Sequence, residues 1–388
     1  MSKKAFDAVI VGAGSVGTPL TMILAEKGIS VLCIDSSPSA GQGNNKCAIG
    51  GIRATHSEFA KVMLGLRSLE IFRTWREMHG DDISWYQGGY TYVAYDMKTM
   101  DIFRRNVPAQ QKAGLDIRLV DSEEMKNLIP GINSEGLLGG TWSPGDGSAS
   151  PMQSCYAFQR RAEELGAEFT FGETVRSFNI EGNRVLSVNT GDNSYPCGTV
   201  VNCAGSFAAE VGEMTGVELP VEPESHEAGV TEPVRRLFDP MVVDIRTAPG
   251  SANYYFYQHD TGQIVFCITP DPPIPGTDTR ETSEFLPLVA PRMTDLYPRL
   301  ANLKVRRTWR GIYPMTPDGA PILDRCGPDN HYVAVGMCGQ GFMLGPGIGE
   351  VMARFVTDEL NKTDVKVLTE LSLARLSGTY LTSSTYLT

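Results

Sequence analysis

The chain has 388 residues, 41% of them hydrophobic and 20% charged, with a net charge of −11. This is the make-up of a globular protein large enough for two domains or one two-lobed unit, and its acidity, with no long basic run, excludes a nucleic-acid binder. No stretch nears roughly 18 uninterrupted apolar residues, so no spanning helix is expected. The eight cysteines form no C-x-x-C and several lie in apolar runs, which reads as reduced, buried thiols, and no metal-ligand pattern stands out. Met-Ser-Lys-Lys leads straight into an apolar run too short for a signal peptide. A cytoplasmic protein is expected, with peripheral membrane contact left open.

The first element is a short buried strand over Ala8 to Val11. Gly12, Gly14 and Gly17 follow with G-x-G-x-x-G spacing, then a helix over Thr18 to Lys27 and a second strand over Ser30 to Ile34 that ends on Asp35. Gly12 permits a tight turn, Gly14 lets the backbone approach a pyrophosphate, and Gly17 lets helix and strand pack closely. The helix start holds phosphates with its free N–H groups, and Asp35, 18 residues past Gly17, accepts from a ribose. Strand, glycines, helix and acid together specify a dinucleotide site, for FAD or NAD.

A small-residue loop runs from Ser36 to Gly51, and apolar spacing from Glu58 to Met78 predicts one long helix. Aromatics and turn residues over Ile83 to Tyr95 predict strands of a different sheet; Gln110 to Leu115 and Ser122 to Leu128 read as short helices, and Gly136 to Gly147 as a turn-rich exit. Pro151 to Gly166 is a helix with proline in its first turn. A strand at Glu168 to Phe171, a hairpin around Glu181-Gly182-Asn183, and a buried strand at Thr199 to Cys203 resume the nucleotide unit. A second β-rich region spans Val217 to Arg310. Within it Tyr254 to Tyr257 pairs with Gln263 to Ile268; alternation puts Tyr255 and Tyr257 on one face, Tyr254 and Phe256 on the other, with His259 at the surface tip. A final strand at Tyr332 to Gly336, the cluster Cys338 to Gly341, and a closing helix at Gly347 to Leu360 complete the chain, which weaves twice between a nucleotide unit and a β-rich one.

Four stretches carry a resemblance: Val9 to Gly17 with Asp35; Gly50-Gly51-Ile52-Arg53; Thr199 to Gly205; and Arg310-Gly311-Ile312-Tyr313-Pro314-Met315-Thr316-Pro317-Asp318-Gly319-Ala320-Pro321-Ile322, with Gly339-Gln340-Gly341-Phe342 after it. In these the chain resembles the FAD-dependent amino-acid and amine oxidoreductases of the D-amino-acid oxidase superfamily, nearest the group of glycine oxidase, the sarcosine oxidase β-subunit and the proline dehydrogenase β-subunit. The resemblance implies an α/β plus β fold, a Rossmann-type FAD-binding domain (residues 1–82, 149–216 and 311–388) interleaved with a β-sheet-rich substrate domain (83–148 and 217–310). It implies FAD held by Gly12, Ala13, Gly14, Ser15 and Val16, by Asp35 and Ser36, and by Asn45, Lys46, Cys47, Gly50 and Gly51 of the loop. Val175, Cys203, Ala204 and Gly205 continue that site, and Gly311, Gly339, Gln340, Gly341, Phe342 and Met343 surround the ring system. Arg53 is the implied partner of a substrate carboxylate, for which a guanidinium fork is suited; its alternative is only to pin the loop or to contact the cofactor. Tyr255 and Tyr257 are implied cage residues, and His56 a neighbour of the same pocket.

The chain departs from monomeric sarcosine oxidases in three places. Met343 stands where they carry a carboxylate-binding lysine, Gly311 to Met315 holds no cysteine for a covalent flavin link, and Gln263-Ile264-Val265-Phe266 holds no oxygen-activating lysine. The implied function is therefore oxidation of the C–N bond of a small, secondary amino acid by hydride transfer from its α-carbon to N5 of non-covalent FAD, by a dehydrogenase rather than an oxidase. A partner subunit would carry electrons onward. The alternatives are a 2-hydroxy acid or glycerol 3-phosphate as substrate, with Arg246 and Arg310 as phosphate partners, a non-catalytic flavin-binding subunit of a larger complex, and an NAD-only dehydrogenase, which the late glycine cluster disfavours.

Overall fold

The computed structural model describes residues 4–191 and 193–377. Met1 to Lys3 and the last part of the expected 311–388 segment lie outside the described residues.

The chain opens with β1 (Phe6–Val11), α1 (Gly17–Glu26) and β2 (Val31–Asp35). Both strands are apolar without alternation because helices cover one face of their sheet and a β-layer the other. After the two-residue β3 (Gly51–Ile52) comes α2 (Phe59–His79), ended by Gly80 in the left-handed conformation. β4 (Tyr90–Ala94) leads to α3 (Met97–Lys112), β5 (Arg118–Asp121), α4 (Ser122–Leu128), β6 (Gly139–Ser143) and the short β7 (Gly147–Ser148). Ser150 caps α5 (Pro151–Glu164) by accepting from Gln153 N, with Pro151 in the first turn. β8 (Glu168–Phe171), β9 (Val175–Glu181), β10 (Arg184–Thr190), β11 (Ser194–Asn202) and α6 (Ala208–Glu213) follow. The second half holds β12 (Glu222–Pro233), β13 (Met241–Asp244), β14 (Gly250–Gln258), β15 (Gln263–Asp271), α7 (Phe285–Leu296), β16 (Val305–Met315), β17 (Ile322–Arg325), β18 (His331–Val335), α8 (Gly341–Val356) and α9 (Lys362–Leu371).

Two eight-stranded sheets result. The first runs β17-β18-β11-β1-β2-β8, parallel from β18 to β8, with the β9–β10 hairpin joined to the early half of β11. The second runs β16-β12-β15-β14-β13-β4-β6-β5 and is antiparallel except where β13 meets β4. This is the Rossmann-type unit interleaved with a β-sheet unit that the sequence implies. Along β14, Tyr254 and Phe256 pack under α7, while Tyr255 and Tyr257 face the other way with Tyr90, Tyr92 and Met241.

Four element readings change. α3 begins at Met97, where Asp96 accepts from Thr99 N, and buries Met100, Phe103 and Val107 at helical spacing; Pro108 within it disguises the pattern. α7 lies in the region read as all strand, again with an internal proline, Pro291. The Gly136–Gly147 exit contains β6, whose glycines lie against neighbouring backbone. α8 starts six residues earlier than expected and is followed by α9. Its glycines belong to packing: a Cβ on Gly345 would stand 2.0 Å from Ser15 O and one on Gly347 2.2 Å from Leu64 O.

Beneath the second sheet the buried Asp244 accepts from Arg246 Nη2 at 2.7 Å and lies 3.7 Å from the buried Arg292. Asp244→Ala strands a buried guanidinium, so unfolding by denaturant is expected to show a loss of about 3–5 kcal/mol.

Candidate active site

β1 ends at a turn in which Gly12 has φ +107°, and a Cβ there would stand 2.4 Å from Cys203 O, so both conformation and space require glycine. The turn leads into α1 and points its free N–H groups across the end of the sheet. At the end of β2, Asp35 is held by two backbone donors, Ala13 N to Oδ2 and Ser37 N to Oδ1, each 2.7 Å. These bonds fix the carboxylate and leave further lone pairs facing the cleft.

A cavity of about 570 Å³ starts at Asp35, passes the glycine turn and the loop at Asn45 and Cys47, and ends between Gly311, Gly339 and Tyr255. Of the predicted cofactor residues, Ala13, Lys46 and Gln340 do not line it, and every other one does. Ala13 instead spends its N–H on Asp35, Lys46 is exposed, and Gln340 is buried with Oε1 unpartnered. The residues present fit a dinucleotide. Gly14 leaves open space where a side chain would project, Asn45 keeps a buried Oδ1 without a partner, and Asp35 stands at the ribose position.

The far end of the cavity is aromatic, and no arginine or lysine is among the described residues that line that end. Tyr255 and Tyr313 hydroxyls lie 3.0 Å apart. Burial raises the pKa of both, Tyr255 well above the ordinary value, so both keep their protons near neutral pH. Among the described residues lining the cavity the arginine is Arg176, beside Glu173 at the Asp35 end. Cys47, Cys203 and Cys267 also line it; burial pushes each thiol up, Cys203 to about 12, so none is a thiolate at neutral pH.

The predicted catalytic residues separate. Tyr255 lines the cavity, whereas Tyr257 donates its hydroxyl to Ile49 O at 2.5 Å and fastens the loop. Arg53 is buried one layer behind, with its guanidinium carbon 6.0 Å from the Tyr90 ring centre and 5.8 Å from that of Tyr92. It donates to Thr55 O and lies 3.1 Å from His56 Nδ1. His56 lines a separate small cavity with Tyr92 and Phe103; burial and then the charge of Arg53 hold it well below its ordinary pKa. Arg246 is engaged with Asp244 and lies over the Tyr95 ring, and Arg310 donates to Arg280 O; neither lines the cavity. His259 is at the hairpin tip, against Thr261. Sequence reasoning missed Tyr90, His226 and Cys267, and Tyr313 was quoted only within a motif. These sit on strands whose alternation shows that some side chains face inward and does not show what they face.

A family model described as FAD dependent oxidoreductase matches residues 7–355. The chain belongs to that family. It is an FAD enzyme, and the cavity described above is the site whose residues fit that cofactor. The oxidoreductase is 25% identical over 365 residues to sarcosine oxidase subunit beta of Rhodobacter capsulatus, covering 91% of this chain and 85% of that one. The structure of L-proline dehydrogenase from P. horikoshii is similar with a TM-score of 0.88 and 32% identity, over 94% of this chain and 96% of that one. Glycine oxidase from Geobacillus kaustophilus shares the fold, with a TM-score of 0.84 and 23% identity over 96% and 99% of the two chains. Among the described residues no helix is long and apolar enough to cross a membrane.

Two outcomes follow. Asp35→Ala removes a charged acceptor from the ribose position, so FAD titrated into the apo-oxidoreductase is expected to bind roughly 10–100-fold more weakly, with the fold retained. The second concerns Asp146, which is fully buried and accepts from Ala54 N at 3.3 Å and Thr55 Oγ1 at 3.1 Å. Burial pushes its carboxyl from 3.8 up to about 7, with those bonds and Arg53 opposing the rise. The folded protein therefore keeps a proton that the unfolded chain has released. The stabilisation from this group is full below about pH 4 and is lost as the pH rises to about 7. Across that window the wild type is expected to lose more unfolding free energy than Asp146→Asn.

Proposed function

We propose that the oxidoreductase oxidises the C–N bond of a small, secondary amino acid, as a dehydrogenase, with non-covalent FAD. In this reading residues 1–82, 149–216 and 311–388 hold the cofactor, and 83–148 and 217–310 hold the substrate. The observation that carries it is the cation-free, aromatic end of the cavity, where two protonated tyrosine hydroxyls, Tyr255 and Tyr313, converge at 3.0 Å beside Gly311 and Gly339. The names of the relatives support it: proline and sarcosine are both small secondary amino acids.

When bound, FAD supplies the two-electron acceptor for the hydride. The chain supplies orientation. Tyr255 and Tyr313 donate to the carboxylate, and Tyr90 and Met343 form the apolar walls that exclude water. Arg53, the expected carboxylate anchor, acts through the loop it pins and through its buried charge behind Tyr90, since its guanidinium is engaged with Thr55. The neutral thiols along the cavity support a non-covalent cofactor. No lysine is among the described residues that line the cavity, which supports an acceptor other than oxygen. The word subunit in a relative's name supports a partner chain that takes the electrons onward. A phosphate substrate is disfavoured because Arg246 is spent on Asp244.

The test is anaerobic bleaching of the bound flavin by a panel of sarcosine, glycine, L-proline, lactate and glycerol 3-phosphate, followed by reoxidation. Bleaching by the secondary amino acids and faster reoxidation by a dye than by oxygen are expected. Bleaching by the hydroxy compounds alone, or by none of the panel, would contradict the reading.

A further inference from the structure

Resting on that reading, we propose that His226 is the residue that receives the substrate's amino group, as a neutral imidazole accepting a hydrogen bond from the amine N–H, with Glu224 as a positioning residue behind it.

His226 sits on β12 directly opposite Gly311 of β16, and it lines the same end of the cavity as Tyr255 and Tyr313. Its ring is stacked on that of Tyr313, with centres 3.8 Å apart and planes 17° apart, so its orientation is fixed. The residue is only 8% exposed, yet Nε2 is buried without a hydrogen-bond partner, and the acid it faces, Glu224 Oε2, is 3.9 Å away, beyond hydrogen-bond reach. Nε2 is thus turned to Glu224, while Nδ1 makes no hydrogen bond among the described residues and is the nitrogen left to a ligand.

The needs of the amine point to the same residue. An amino acid held by its carboxylate on two hydroxyl donors still needs an acceptor for its N–H. Glu227 also lines this end, its carboxylate accepting from Thr282 N and Oγ1, both at 2.7 Å. Arg310 on β16 is a donor only. In His226 a proton on Nε2, towards Glu224, leaves Nδ1 as an acceptor held in place by the stacking on Tyr313.

The chemistry requires that neutral form. Hydride loss from the carbon beside nitrogen needs the nitrogen lone pair, which only the uncharged amine has. As the C–H bond breaks, the nitrogen becomes that of a cationic imine, and its N–H···N bond strengthens in the transition state. The titratable and charged groups facing His226 are Glu224 and Glu227 on its own strand, Arg310 and Tyr313 on β16, and Tyr255 and Cys267 beyond Tyr313. Burial lowers its pKa below 6.5; Glu224 opposes the fall and Arg310 adds to it.

The test follows anaerobic flavin reduction of the FAD-loaded protein by L-proline, sarcosine and glycine across pH, in the wild type and in His226→Leu, His226→Gln and Glu224→Gln. With the flavin spectrum unchanged, His226→Leu is expected to lower the reduction rate divided by Kd by roughly 10–100-fold. His226→Gln keeps an acceptor and is expected to restore much of that loss while abolishing the acid limb that His226 contributes. Glu224→Gln removes the charge that favours imidazolium, so it moves that limb to lower pH. Histidine NMR of the same proteins is expected to show a resonance, missing in His226→Gln, that titrates below 6.5 and lower still in Glu224→Gln. Reduction of the wild type together with an unaltered rate and pH profile in His226→Leu overturns the assignment alone. A wild type reduced by none of the three amino acids overturns the amino-acid reading and the assignment with it.

Discussion

The antiparallel pairing of β12 with β16 sets the working end of the cavity. Its register puts His226 opposite Gly311 and Glu224 opposite Tyr313, and it runs without interruption from Glu222 to Val230. On the other side of β16, Gly311 meets the loop from the nucleotide sheet so closely that a Cβ there would stand 2.6 Å from Cys47 Cβ. Trp309 Nε1 donates to Cys47 O at 2.9 Å and holds that approach. One strand thus ties the second sheet to the loop that lines the cavity at Cys47. A slip of one residue would turn the Tyr313 side chain to the opposite face of its sheet and break its stacking on His226.

The two ends of the cavity differ in their electrostatics. At the nucleotide end a fixed carboxylate and the free N–H groups of α1 present opposite charge to hydroxyls and phosphates. At the other end stand tyrosines whose pKa burial raises and a histidine whose pKa burial lowers, with the Glu227 carboxylate beside them. Arg53 and Asp146 are both buried behind this wall, and their hydrogen bonds hold Ala54 and Thr55.

Much of this was legible in the sequence. Gly12, Gly14, Gly17 and Asp35 specify their job by spacing alone, because a tight turn, a close backbone approach and a ribose acceptor each demand one residue type. The hairpin at Glu181 to Asn183 and the alternation of Tyr254 to Tyr257 were legible for the same reason. α3 and α7 were not, because Pro108 and Pro291 interrupt patterns that tertiary burial of Phe103 and Val289 still supports. The depth of Arg53 was not legible either. A motif places it near the cavity, but only packing against Tyr90 and Tyr92 decides which side of that wall the guanidinium takes. His226 lies in no motif, and its orientation depends on stacking with a residue 87 positions later.

The central claim, that a carbon–hydrogen bond beside the amine nitrogen breaks as the flavin is reduced, is tested most directly with a substrate deuterated on carbon. Single-turnover anaerobic reduction by deuterated L-proline, or by whichever of sarcosine and glycine reduces the flavin faster, is compared with the protiated compound. A large primary isotope effect on the reduction rate is predicted. Equal rates for the two isotopologues, with reduction still complete, would contradict the account.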